Sequence, residues 1–278
     1  MIQDNKLKPS VGIIFLICFL AFLTGCQQIA YQPIEIDQLS KHEDAIQLSF
    51  ETSKGKQVAF YIPPRTDAQS IPNPLVIIYP GIGGRALDWL SFVENSPSTT
   101  AGYLLLDYPG RGFSEGLMRP RLLPQTSQGA LNALKKQLHI DQNALQKNIC
   151  LCGHSFGCAA ALQFAQQIPV KRIVLLAPFT TLHKAMFKKM GPLAYLNPDS
   201  LDNRKMIRDL LSRDHPPKIT IIHGTLDETI PVEMGRDLVS IDDNNIKYYE
   251  IPEGTHMSIT EKNRPIAYDA LFNSQRKP

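Results

Sequence analysis

The chain has 278 residues, of which 43% are hydrophobic, 20% charged and 8% aromatic. This composition excludes a disordered, collagen-like or disulfide-dense protein, and a chain of this length buries roughly 70–75% of its unfolded surface, enough to be stable without a metal or disulfide. The 29 basic and 26 acidic side chains leave a net charge of +3 with no run of Lys and Arg, so no nucleic-acid partner is expected.

At the N-terminus Met1–Ser10 is polar and carries Lys6 and Lys8, and Val11–Leu23 is an uncharged apolar run. These are the basic n-region and apolar h-region of a secretory signal. The run is shorter than the ~20 residues that a spanning helix needs. It ends in Leu23-Thr24-Gly25-Cys26, which resembles the lipobox of bacterial lipoproteins. The resemblance implies removal of residues 1–25 as a lipoprotein signal peptide and acylation of Cys26. Several acyl chains then hold the protein to a membrane where one would bind marginally. Residues 26–45, polar and without period, read as a lipidated tether leading to a domain over residues 46–278. Gln27 stands where an aspartate would resemble an inner-membrane retention signal, so the expected location is the bacterial cell envelope, with the outer membrane favoured. Of five cysteines, Cys150, Cys152 and Cys158 remain beyond the signal and the anchor. An odd count argues against a full disulfide framework, and their apolar surroundings suggest small buried hydrophobes. No metal-ligand spacing is present, and neither a metal nor a cofactor is expected.

From residue 46 the chain alternates between β-rich runs and helical patterns. Ile46–Glu51 and Gln57–Ile62 read as strands around the turn Ser53-Lys54-Gly55. Leu75–Tyr79 is a continuous apolar run, as in a strand buried on both faces. Tyr103–Asp107, Ile149–Gly153, Ile173–Ala177, Ile219–His223 and Ile246–Ile251 continue the series. Helical patterns fall at Ala86–Glu94, Gln125–Leu138, Phe156–Gln167, Val232–Ile241 and Ile259–Asn273. The alternation predicts parallel βαβ units, hence an α/β fold with a mostly parallel eight-stranded sheet flanked by helices. Between Ala177 and Ile219 the connection is longer than a crossover requires. Helical patterns at Thr180–Lys189 and Leu201–Arg213 predict a small helical cap over about residues 180–216. Its Met186, Phe187, Met190, Leu193 and Tyr195 either line an acyl pocket or pack the cap onto the body.

Gly153-His154-Ser155-Phe156-Gly157 matches G-x-S-x-G where a strand gives way to a helix. That context predicts a nucleophile elbow, with small residues on both sides of a turn that lifts the Ser155 hydroxyl above the sheet. A serine needs an adjacent base, and the order nucleophile, acid, histidine is expected on such a sheet. Asp227 follows the strand KITIIHG and His256 follows the strand IKYYEIP, on the same sheet edge as Ser155. No carboxylate follows Ala177-Pro178-Phe179, the other place for an acid. His256 is the expected base and Asp227 its orienting partner. His154, inside the elbow, should point sideways, and His223 should be satisfied by its neighbours. The oxyanion of acyl transfer requires backbone donors. The N–H of Phe156 is one, and the N–H of Ile82 in Pro80-Gly81-Ile82-Gly83-Gly84 the other, with Gly83 as the alternative.

The stretches YPGIGG, LDYPGRGFSEG, GHSFG, LLAPFTTL, IIHGTLDETIP and PEGTHMSI together resemble the α/β-hydrolase superfamily. They are closest to its serine aminopeptidase-like branch, which includes monoglyceride lipases, lysophospholipases and depalmitoylases. The resemblance implies a serine esterase acting on a small-molecule or lipid ester, with acyl transfer or peptide and amide cleavage by the same triad, or non-catalytic binding, as alternatives. Two departures stand out: Tyr79-Pro80-Gly81 occupies the place where such proteins often carry His-Gly, and the cap is short. Asp107, Arg111 and Ser114 are expected to stabilise a tight loop over Asp107–Gly116.

Overall fold

A computed structural model of the chain describes residues 45–273 except 69, 142, 143, 146, 147, 198 and 199, with residues 188 and 189 described by backbone only. The expected signal peptide, the tether up to residue 44 and Cys26 lie outside the described residues.

Eight strands form one sheet: β1 (Ile46–Thr52), β2 (Gly55–Ile62), β3 (Leu75–Tyr79), β4 (Gly102–Leu106), β5 (Ile149–His154), β6 (Arg172–Leu176), β7 (Lys218–Gly224) and β8 (Ile246–Ile251). Their order is β1-β2-β4-β3-β5-β6-β7-β8. β2 is antiparallel to both β1 and β4, and β3 to β8 are mutually parallel. Every residue of β3, β4, β5 and β6 is buried. That follows from helices on both faces, which leave no position for a polar side chain. Alternate residues feed opposite cores, as the two-residue strand period requires. Ile77 and Tyr79 join Leu131, Leu134 and Phe164 on one face, and Val76 and Ile78 join Trp89, Phe92 and Tyr268 on the other.

The helices are α1 (Leu90–Glu94), α2 (Leu123–Leu138), α3 (Phe156–Ala165), α4 (Leu182–Met190), α5 (Asn203–Leu211), α6 (Val232–Val239), α7 (Ser258–Glu261) and α8 (Arg264–Phe272). Most differ from the expected bounds by one or two residues at an end, and three differences have clear local reasons. The first pattern divides into a 3-10 turn at Ala86–Trp89 and the short α1. α2 starts earlier than expected, with Pro124 in its first turn, where a missing N–H costs nothing. The expected helix Ile259–Asn273 is broken into α7 and α8, because Pro265 is confined to a first helical turn and Asn263 before it leaves helical geometry.

Between β6 and β7, where the cap is expected, the chain forms α4 and α5. Thr181 caps α4 by accepting from the Lys184 N–H, and Asp202 caps α5 by accepting from the Lys205 N–H. A 3-10 segment at Gly191–Leu196 joins them. α5 anchors the cap, with Ile207 and Leu210 fully buried in the core. Each such side chain contributes roughly 1.5–3 kcal/mol by leaving water. The base of the insertion is stitched shut by Leu182 N–H to Leu201 C=O (2.9 Å), Asn203 N–H to Thr180 C=O (2.9 Å) and Asn203 Nδ2–H to Phe179 C=O (2.8 Å). Phe187, Leu193 and Tyr195, by contrast, are about half exposed. They do not serve mainly to pack the cap onto the body.

Candidate active site

The parallel strands β3, β5, β7 and β8 end on one edge of the sheet, the edge where open α/β folds place their sites. Ser155 lies between β5 and α3 with φ 54° and ψ −117°, a conformation that a residue bearing a side chain holds only when its surroundings impose it. Here the Ser155 N–H donates to the Leu176 carbonyl (2.8 Å), and its own carbonyl accepts from the Cys158 N–H (3.0 Å). The glycines on either side have a steric cause. A Cβ on Gly157 would strike the carbonyl oxygens of Tyr79 and Pro80, and one on Gly153 would strike the Gly157 carbonyl.

Asp227 follows β7 in a turn. Its Oδ1 accepts N–H groups from Thr229 (2.9 Å) and Ile230 (2.7 Å). Its Oδ2 lies 2.8 Å from Nδ1 of His256 and 3.5 Å from Nε2 of His223. Pairing of β7 with β8 continues past the strands, through Thr225 N–H to Ile251 C=O and Leu226 N–H to Gly254 C=O, and so delivers the two loops to each other. Burial pushes the Asp227 carboxyl upward, but hydrogen bonds from His223, His256 and the Ile230 N–H outweigh it and hold the group well below the usual carboxylate range. The acid is therefore ionised and the ring beside it is fixed in orientation.

The structure thus unites Asp227 and His256 as expected. Ser155 sits next to them through its neighbour His154, whose Nε2–H donates to the His256 carbonyl (2.9 Å) and whose ring centroid lies 4.7 Å from that of His256. No hydrogen bond joins the Ser155 hydroxyl to the His256 ring in this arrangement; such bonds often tighten only with substrate bound. His154 is 5% exposed, and burial, reinforced by the neighbouring His256, lowers its pKa to about 4. It is a neutral donor. The fully buried His223 donates Nε2–H to the Ile230 carbonyl (2.9 Å), but among the described residues its Nδ1 has no partner, so its neighbours satisfy only one of its nitrogens.

The turn after β3 is closed by Gly84 N–H to Gly81 C=O (3.0 Å) and lies against the elbow, with a Cβ on Gly81 falling 3.3 Å from His154 Nδ1. Among the described residues, the N–H groups of Ile82, Gly83 and Phe156 donate to no protein acceptor. The Asp107–Gly116 loop is built as expected in part. Asp107 accepts from the Ala86 N–H (2.8 Å) and the Phe113 N–H (3.0 Å), with burial raising its pKa to about 6, and Ser114 Oγ accepts from the Val58 N–H (2.9 Å). Arg111 donates within the loop to the Gly110 carbonyl (3.3 Å) and also reaches out of it, to the Ile82 carbonyl (3.2 Å). Sequence reasoning missed this contact, and also the bond from His154 to the His256 carbonyl. Cys150, Cys152 and Cys158 are free and buried. Among the described residues no helix is long and apolar enough to cross a membrane and no cluster of side chains suits a metal ion.

A family model described as the alpha/beta hydrolase fold matches residues 74–205. YfhR of Escherichia coli (strain K12), a protein named only as uncharacterized, is 22% identical over 264 residues, covering 91% of this chain and 89% of its own length. Among solved structures, the Pyrococcus furiosus esterase Pf2001 superposes with a TM-score of 0.62 at 13% identity, covering 86% of this chain and 94% of the esterase. A Pyrococcus horikoshii acylaminoacyl peptidase gives 0.61 at 11% identity over 88% of this chain, which spans only 45% of that peptidase. Strand order, elbow and matches agree, and the chain is an α/β-hydrolase-fold protein.

Proposed function

We propose that the protein is a serine hydrolase that cleaves carboxylic esters of acyl or lysophospholipid type through a Ser155-His256-Asp227 triad. The observation that carries the reading is the 2.8 Å Asp227–His256 pair beside a serine held at positive φ on a strand-to-helix turn. In the reaction Ser155 Oγ attacks the ester carbonyl carbon as its proton passes to His256 Nε2, and Asp227 stabilises the imidazolium. The oxyanion is received by the N–H of Phe156 and that of Ile82 or Gly83. Collapse breaks the bond to the alcohol, which leaves with the proton from His256. Water then repeats the sequence on the acyl-enzyme, releasing the acid and restoring the serine.

An acyl substrate is favoured by the apolar rim of the same sheet edge. Ile82, Phe187, Leu193, Tyr195, Leu226 and Met257 are all exposed on loops or cap segments that follow parallel strands. We propose in addition that acylation of Cys26 tethers the enzyme to the bacterial envelope, on the strength of the Leu23–Cys26 motif.

A fluorophosphonate probe should label the wild type at Ser155 and leave Ser155→Ala unlabelled. A folded wild type that takes no label is a binding protein and not an enzyme. Product analysis with p-nitrophenyl esters of graded chain length should yield free acid; acylated acceptor in its place would make the protein a transferase. Cys26→Ser should release the protein from the membrane fraction with catalysis intact, and a variant that stays bound refutes the lipid anchor.

A further inference from the structure

Leaving β4 the chain runs through Tyr108-Pro109-Gly110-Arg111, and two of these side chains reach back to the turn after β3. Tyr108, buried, donates its O–H to the Pro80 carbonyl (2.8 Å). Arg111 donates its Nε–H to the Ile82 carbonyl (3.2 Å). The carbonyl between them, that of Gly81, accepts from the Gly84 N–H (3.0 Å). Three consecutive carbonyls are thus held by three different donors. A trans peptide is planar, so fixing a carbonyl also fixes the N–H of the following residue, which points the opposite way. The N–H groups fixed here belong to Gly81, Ile82 and Gly83. Both candidates for the second oxyanion donor are among them.

Beyond Gly81, which lies against His154, little side-chain packing holds this turn. Three of the residues from Pro80 to Gly84 are glycines, and the Ile82 side chain is 42% exposed, so packing does not lock it. Tyr108 has a second contact. Its ring meets that of Phe156 edge-on at 5.8 Å, so a single side chain touches both segments that supply oxyanion donors. Asp107 secures the far side of the turn through the Ala86 N–H (2.8 Å).

We infer that Tyr108 and Arg111 are positioning residues for the oxyanion hole: Tyr108 sets the spacing of its two halves by touching Phe156 and the Pro80 carbonyl, and Arg111, through the Ile82 carbonyl, aims the N–H of Gly83. The inference rests on the proposed hydrolase reading, in which these N–H groups receive the oxyanion. Its physical basis is that such donors accelerate a reaction only when they are oriented before charge develops. A donor left to rotate must be reorganised during the chemical step.

The test uses Tyr108→Phe, Arg111→Met and the conservative Arg111→Lys in the full chain. The readouts are kcat and KM on a p-nitrophenyl ester, the inhibition constant of an alkylboronic acid that forms a tetrahedral adduct with serine, and the thermal midpoint. Tyr108→Phe and Arg111→Met should each lower kcat by about 10- to 100-fold, short of or equal to the loss of one donor. KM should stay within about threefold, boronate affinity should weaken in step with kcat, and the shape of the pH profile should not move. Arg111→Lys should recover part of the loss. Arg111 is partly exposed, so its variants keep the question open to measurement even if Tyr108→Phe folds poorly. Wild-type kcat and boronate affinity in both variants would overturn the inference. A rise in KM alone would overturn it too, by making Arg111 a substrate contact. If the wild type neither turns over ester nor takes the fluorophosphonate label, the hydrolase reading has failed and the inference falls with it.

Discussion

Replacing His154 by Phe removes the hydrogen bond to the His256 carbonyl while keeping a flat ring of similar size beside Trp89 and His256. At neutral pH the cost is that of leaving a partly buried carbonyl without its donor, about 1–3 kcal/mol. Acid changes the comparison. In the folded wild type the His154 pKa is lowered from 6.5 to about 4. The unfolded chain therefore takes up this proton first as pH falls. Stability from this group is complete above about pH 6.5 and is lost as pH drops toward 4. Between pH 7.5 and pH 4.5 the wild type should lose about 2–3 kcal/mol on this account, and the Phe variant nothing. Titrating groups remote from His154 are common to both proteins and cancel in the difference; His223, Asp227 and His256 face it and add a smaller coupled contribution. Urea unfolding of the two proteins at both pH values should show the variant clearly weaker at pH 7.5 and level with the wild type, or stronger, at pH 4.5. A stability gap that is the same at the two pH values would refute a neutral, buried His154.

Three further outcomes follow from the site. Asp227→Asn should lower kcat by about 10⁴-fold with KM little changed, since an amide cannot stabilise the imidazolium and would turn an N–H toward a donor; ester hydrolysis under saturating substrate measures it. Gly157→Ala should yield no soluble folded protein, because its Cβ would enter the space of two carbonyl oxygens of Tyr79 and Pro80; expression yield and circular dichroism check this. Cys150 and Cys152, whose thiols burial pushes up to about 11 and about 12, and Cys158, raised well above its ordinary value by the same cause, should resist alkylation in the native protein and react only on unfolding. Peptide mapping after iodoacetamide treatment distinguishes the two states.

The strands were legible because each is a short apolar run bounded by turn residues. Once they are set in order, the G-x-S-x-G pattern and the expected order of nucleophile, acid and histidine point to Ser155, Asp227 and His256 at their carboxyl ends. The hairpin β1–β2, with Gly55 at its turn, and the cap were legible for similar local reasons. What the sequence concealed lies in contacts across the fold. The bond from His154 to the His256 carbonyl joins residues 102 apart, and those from Tyr108 to Pro80 and Arg111 to Ile82 join residues 28 and 29 apart. No periodicity records them, because they depend on which loops the strand order brings side by side. The continuous last helix was a different kind of miss. The apolar pattern of Ile259–Asn273 is continuous, and Pro265 within it marks the start of a second helix. The cap side chains could not be assigned between pocket and packing because helical spacing alone does not say which face meets the body. Phe187, Leu193 and Tyr195 are about half exposed, and Tyr195 packs against Phe187 and His183 of the same insertion.

The closed base of the insertion between β6 and β7 has an evolutionary consequence. Phe179 and Thr180 on one side and Asn203 on the other are joined by backbone and amide bonds. The stretch between them can therefore be lengthened, shortened or exchanged while the sheet beneath keeps its spacing. Ser155, Asp227 and His256 all stand on other loops. On the proposed hydrolase reading, selectivity and reactivity are carried by separable parts of the chain, and a lineage can remodel what it recognises without rebuilding how it reacts.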